Sequence, residues 1–204
     1  MNMRYLARTD SGKVSLQTEI SPDCGVVNLC PELPAGILED AVAELTWTMA
    51  EDEKLFMNGY QTWTHSLEMG KRDRMRGVDQ VPSPIRKHFG LDRYGDYHFV
   101  SYSDKKGQSH GFSYCYFRKG DTYRLIGSLD ETPGYTIFAY DSAAEKLTIR
   151  RDCAGVRHNG GRFHAFDLFF AQGGEREVFD AWFAAMGCRA RQAPRLTGYS
   201  SWYN

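Results

Sequence analysis

Alternation with a period of two residues constrains this chain more than any other feature. KVSLQTEI places Val14, Leu16 and Thr18 on one face, and VVNLCPEL follows Gly25. GFSYCYFRKG alternates Phe112, Tyr114 and Tyr116 with Ser113, Cys115 and Phe117. TYRLIGSL, GYTIFAYD, EKLTIRRD and HAFDLFF continue the pattern, separated by breaks such as KGD, ETPG and DSAA. Successive strand side chains point to opposite faces, and Gly, Pro and Asp supply the turn conformations between strands. Many short strands with this punctuation predict an all-β antiparallel sandwich. Aromatic residues make up 14% of the chain, which suits half-buried sheet surfaces.

One segment follows the other period. EREVFDAWFAAMG sets Val178, Phe179, Trp182, Phe183 and Met186 at helical spacing. Glu175 and Glu177 complement the positive end of a helix dipole, and Gly187 suits its C-terminus. This predicts an amphipathic helix whose aromatic stripe packs on a sheet. Between Ser66 and Asp92 the chain is expected to be irregular, because Pro82 and Pro84 disfavour regular backbone there.

The totals exclude several classes. A chain of 204 residues suits one domain or two small ones, with room for a sizeable core. A formal net charge of -1 gives no global field for nucleic acid or acidic lipid. The five cysteines, Cys24, Cys30, Cys115, Cys153 and Cys188, include no CxxC pair and read as reduced thiols. The beginning, MNMRYLARTDSGK, has no apolar signal region, and no stretch approaches the ~20 apolar residues of a membrane span. The expectation is a cytoplasmic protein.

Several local patterns read as ordinary surface. Lys71, Arg72, Arg74 and Arg76 are diluted by Asp73 and Asp79, so a solvated loop or a subunit contact fits better than nucleic-acid binding. None of the six histidines pairs with another at i, i+4, which argues against a zincin-type site. RHNGGRF and AQGGER lack the spacing of a phosphate cradle and read as turns.

KLFMNGYQTWTHS, Lys54 to Ser66, is richer. It opens as a strand, offers a turn at Asn58-Gly59, and then presents Tyr60, Gln61 and Trp63. Two readings fit. One is a hairpin with a core Trp, since Asn-Gly is a strong hairpin signal. The other is a sugar site, where rings stack on the apolar face of a pyranose and amides bind its hydroxyls.

TGYSSWYN, Thr197 to Asn204, is also rich in aromatic and small residues. Taken in order, LFMNGYQTWT, then RYGDYHFVSYS (Arg93 to Ser103), then TGYSSWYN resemble stretches of glycoside hydrolase family 36, the microbial α-galactosidases. The resemblance covers essentially the whole chain. It implies a galactose mutarotase-like β-supersandwich over 1–187, a linker over 188–197, and at 198–204 the first strand of a (β/α)8 catalytic barrel that continues in a longer parent. It implies that Trp202 and Tyr203 line a galactose pocket and that Trp63 reaches over its mouth. Asn58, Tyr60 and Gln61 would support that rim. No metal or organic cofactor is implied. The implied partners are the domain's own barrel, α-galactosides and further copies of the chain.

The resemblance also implies what the chain lacks. Retaining glycosidases use two carboxylates about 5–5.5 Å apart. In the family both are Asp on later barrel strands, one in a Lys-x-Asp stretch. Lys71-Arg72-Asp73 matches that spacing but lies in a charged loop, so this chain alone is expected to be inactive. Two alternatives stay open. One is a free-standing carbohydrate-binding module that stacks sugar on Tyr60, Trp63 and Trp202. The other is a mutarotase-like epimerase, for which His98, His110 or His164 could act with a carboxylate.

Overall fold

The alternating segments form strands, and in a computed structural model those strands pair into two facing antiparallel sheets. The structure describes residues 1–60, 64–77, 81–90, 105–188 and 197–198. The first sheet contains β1 (Asn2–Thr9), β2 (Gly12–Glu19), β5 (Gly36–Thr46), β8 (Gln108–Phe112), β11 (Thr136–Asp141) and β12 (Lys146–Arg151). Its order is β2-β1-β5-β12-β11-β8, with the short β13 (Arg157–His158) added beside β5. The second sheet contains β3 (Gly25–Leu29), β6 (Lys54–Met57), β7 (Glu68–Gly70), β9 (Tyr114–Lys119), β10 (Thr122–Ser128) and β15 (Phe166–Gly174). Its order is β3-β15-β10-β9-β6-β7. A separate pair joins β4 (Glu32–Leu33) to β14 (Gly161–Arg162).

Period two makes the core. Met3, Tyr5 and Ala7 of β1 and Ala41, Ala43 and Leu45 of β5 point inward from the first sheet. They meet Cys115 and Phe117 of β9, Ile126 of β10, and Phe166, Leu168 and Phe170 of β15 in one buried cluster with Trp47. β2 shows the edge version of the pattern. Val14 packs against this cluster, but Leu16 is 53% exposed, because nothing covers that strand's far half among the described residues.

GFSYCYFRKG is two strands. The backbone crosses from the first sheet to the second at Ser113, whose φ of 64° is unusual for a residue with a side chain. Ser113 N–H bonds Thr136 O and its own carbonyl accepts from Ser128 N–H, so all of its backbone polarity is used at the crossing. Cys115 and Phe117 then face the core, while Tyr114 and Tyr116 face outward.

Those outward tyrosines lie under the helix. α2 (Glu175–Ala185) buries Val178 and Trp182 against Leu125 and Phe169, with Tyr114, Tyr116 and Phe179 around them. Trp182 Nε1 donates to Ser128 O at 3.1 Å, so its polar edge is satisfied as its ring is buried. Glu177 Oε2 accepts from Gly174 N–H, and Gly187, at φ 69°, follows the helix in the left-handed conformation. AQGGER is therefore a strand-to-helix junction, with Gly173 and Gly174 ending β15, and not a turn.

The Ser66–Asp92 expectation needs correction. β7 lies there, and so does the short α1 (Ser83–His88). Pro82 occupies the N-cap and Pro84 the first turn, where a missing N–H costs no helical hydrogen bond. The prolines open this helix and do not exclude it. Lys71-Arg72-Asp73 is a turn, as its charges suggest: Asp73 Oδ2 accepts from Gly70 N–H at 2.7 Å, and exposed Arg72 pairs with Glu51.

Candidate functional site

The pairing registers give the sandwich two distinct ends. β6, β8 and β10 run toward the same end, and β11 and β15 start from it. Both Asn58-Gly59-Tyr60 and the 129–135 connection from β10 to β11 lie at that end.

Asn58 is a clamp between the sheets. Its N–H donates to Tyr114 O at 3.4 Å, its carbonyl accepts from Phe112 N–H at 2.8 Å, and its Nδ2 donates to Phe112 O at 3.1 Å. These bonds fix the backbone at the point where Tyr60 follows. The Asn58-Gly59 pair does not form the tight turn of a hairpin. β6 and β7 do pair, but residues 58–67 connect them. Gly59 is needed for close approach: a Cβ there would lie 2.5 Å from Thr64 Oγ1 and 2.9 Å from Ser66 Oγ, whose hydroxyl accepts from Gly59 N–H.

Tyr60 then leaves the sheet as an open ring. It is 39% exposed, lies 5.1 Å from the buried Phe112 ring, and meets the 42%-exposed Tyr135 ring edge-on at 5.6 Å. Phe112 backs the Tyr60 ring, and Tyr60 in turn meets Tyr135. Gln61 and Trp63, and Trp202 and Tyr203, lie outside the described residues, as does His98.

Behind Tyr135 the same connection carries a polar centre. Arg151, buried on the core side of β12, donates through Nε to Ala165 O at 2.8 Å and through a second nitrogen to Gly134 O. Glu131 Oε2 accepts from Thr136 N–H at 2.6 Å and sits 3.6 Å from Arg151. Burial raises the Glu131 pKa above the ordinary carboxylate value, against the pull of Thr136 and Arg151. Burial likewise lowers Arg151, opposed by Glu131 and Asp130, and pushes the Cys153 thiol up to about 11. All five cysteines are free thiols.

Further along this end, β3 and β15 place Asp167 opposite Asn28, whose amide donates to Asp167 Oδ1. His164 Nε2 lies 2.7 Å from Asp167 Oδ2, and His164 Nδ1 lies 3.9 Å from Asp130 Oδ2. Cys30 completes the group: Cys30, His164 and Asp167 each bring one potential ligand atom within 4.8 Å of the others. His164 and Asp167 are three residues apart, but local spacing could not reveal the group, because Cys30 joins them only through the pairing of β3 with β15.

The other histidines divide. His110 is buried, with its backbone N–H donating to Met75 Sδ at 3.1 Å. His65 accepts from Arg76 N–H, and burial pushes its pKa below the ordinary imidazole value.

The opposite end holds a cavity of about 550 Å³, lined by Thr48, Glu53, Lys119, Arg124 and Gln172. Its charge is already used. Arg124 forks onto Glu53 at 2.7 Å, donates to Thr48 O, and stacks over Trp47 at 4.8 Å.

Among the described residues no helix is long and apolar enough to cross a membrane. No protein-family model matches the chain, and no match is found among curated proteins or solved structures.

Proposed function

We propose that this chain is a non-catalytic sugar-facing β-sandwich domain of the kind that fronts a family 36 α-galactosidase. In this reading it packs on a barrel that follows it, helps assemble subunits, and offers aromatic residues to a terminal α-galactoside. The observation that carries the proposal is the Tyr60–Tyr135 pair. Tyr60, in the stretch that carries the resemblance, rests on Phe112 and meets Tyr135 edge-on, and both tyrosine rings remain exposed to solvent. A ring held in place loses little freedom when it stacks on a sugar face, so binding costs less than it would with a mobile ring.

The parts assigned to Trp63, Trp202 and Tyr203 belong to this proposal, as do a supersandwich of the mutarotase type and a cytoplasmic setting. The epimerase alternative has weaker support. It needs a histidine and a carboxylate facing a common substrate, whereas His110 is buried and His164 faces a carboxylate with each ring nitrogen.

The test is a titration of the purified chain with melibiose and raffinose, followed by tryptophan and tyrosine fluorescence. The expected result is saturable binding, weakened at least about tenfold in Tyr60→Ala and in Trp63→Ala, since a lost stacking contact of about 1.4 kcal/mol is tenfold in affinity. Hydrolysis of an aryl α-galactoside should be nil. Binding unchanged in both variants, or turnover by the chain alone, contradicts the proposal.

A further inference from the structure

The geometry points to a divalent-metal site of the zinc class at the corner where β3 meets β15. We infer that Cys30 Sγ, His164 Nε2 and Asp167 Oδ2 bind one such ion, with a fourth position open to water.

Thiolate, imidazole and carboxylate together are a donor set that suits Zn²⁺ and its spectroscopic substitute Co²⁺. Ligand atoms around a tetrahedral Zn²⁺ lie about 3.5 Å apart, given bonds of about 2.0–2.3 Å. The three atoms here are within 4.8 Å of one another, so modest side-chain rotation closes the site. Access is open: the His164 side chain is 45% exposed and that of Asp167 is 19% exposed.

The surroundings are those a metal site needs. Asn28 Nδ2 holds Asp167 Oδ1, which leaves Oδ2 turned toward His164. Asp130 Oδ2 stands 3.9 Å from His164 Nδ1, on the side away from Asp167. A ligating histidine usually gives its other ring N–H to a carboxylate, which fixes the tautomer and strengthens the ligand. The scaffold is paired backbone: Phe166 is opposite Leu29, and Ala165 N–H bonds Leu29 O at 3.0 Å.

Loading balances simply. The ion displaces the Cys30 thiol proton to solvent, and the proton of the neutral imidazole resides on Nδ1, toward Asp130. One thiolate and one carboxylate then neutralise the two positive charges.

The test uses the full chain carrying Cys24→Ser and Cys188→Ser, which removes the two exposed thiols. The chelator-treated protein is titrated with Co²⁺ alone and then with Zn²⁺. The expected result is one Co²⁺ per chain, a near-ultraviolet thiolate-to-cobalt band, intense tetrahedral visible absorption, and displacement by Zn²⁺. Adding Cys30→Ser should abolish the thiolate band. His164→Ala and His164→Asn should each weaken Zn²⁺ by about 100-fold or more, and Asp130→Asn by about tenfold. Cys153→Ser should leave the band intact, and circular dichroism should show every variant folded. Absence of the band in the starting chain, or its persistence after Cys30→Ser, overturns the inference and leaves His164–Asp167 a surface ion pair.

Discussion

Each end of the sandwich is closed by an arginine, partly buried Arg124 at one and fully buried Arg151 at the other, and the two are satisfied in opposite ways. Arg124, at the cavity end, forks onto the carboxylate of Glu53 and lies over Trp47 and Phe117. Arg151, at the Tyr60 end, bonds two neutral backbone carbonyls and stays 3.6 Å from its nearest carboxylate. The first is a closed ion pair. The second leaves positive charge to be shared with Asp130, Glu131 and Asp167, all of which act on it. A closed pair holds a fold together. An arginine that organises several acids beside open rings makes an end where chemistry can be placed.

The largest expected effect breaks the closed pair. Arg124→Met leaves the buried Glu53 charge alone and should cost about 3–5 kcal/mol in urea unfolding. Adding Glu53→Leu should recover most of that loss. If the single variant costs under about 1 kcal/mol, the pair does not close that end.

Arg151→Met should cost less, about 1–3 kcal/mol, because it strips donors from two carbonyls and strands no fully buried charge. No change at Glu131 should restore it. Rescue by Glu131→Leu would make the two arginines equivalent and remove the contrast.

A pH experiment sharpens the same point. The folded-state pKa of Glu131 is raised by burial, so its contribution to stability is full below the ordinary glutamate value of about 4.3 and is lost as pH rises through the folded pKa. Glu131→Gln removes that loss. Relative to the parent, the variant should gain melting temperature between pH 4 and pH 8. A gain that shrinks with rising pH would mean Arg151 outweighs burial.

The smallest effect concerns Tyr5. Its hydroxyl is buried with no hydrogen-bond partner among the described residues, and burial raises its pKa, with Cys153 and Cys30 adding to the shift. Tyr5→Phe should be neutral or stabilising, by up to about 1 kcal/mol. A loss greater than that would mean the hydroxyl is bonded.

The sandwich and α2 were legible because both rest on local periodicity. Strands alternate every two residues, and Val178 and Trp182 fall one helical turn apart. α1 was missed because proline reads as a breaker unless its place in the first turn is known. The crossing at Ser113 was missed because Phe112, Ser113 and Tyr114 keep the alternation while the backbone changes sheet. Asn58 and Tyr60 stood out in sequence, since Asn-Gly beside aromatic residues is a local signal. Cys30 and Asp167 did not, and His164 stood out only as a candidate for the epimerase reading. A search for nearby ligand pairs argues against zinc in this chain, yet Asn28 and Asp167 are 139 residues apart and hydrogen-bonded. Only the register of β3 on β15 brings them together.

The most direct test of the account is where a sugar lands. Melibiose titrated into isotopically labelled chain, followed by amide chemical shifts, should move Gly59, Tyr60, Phe112 and Tyr135. The Arg124 end, reported by Thr48, Lys119 and Gln172, should stay still. Shifts gathered around the cavity at the Arg124 end, or no shifts at all at millimolar sugar, would contradict a sugar-facing Tyr60 end.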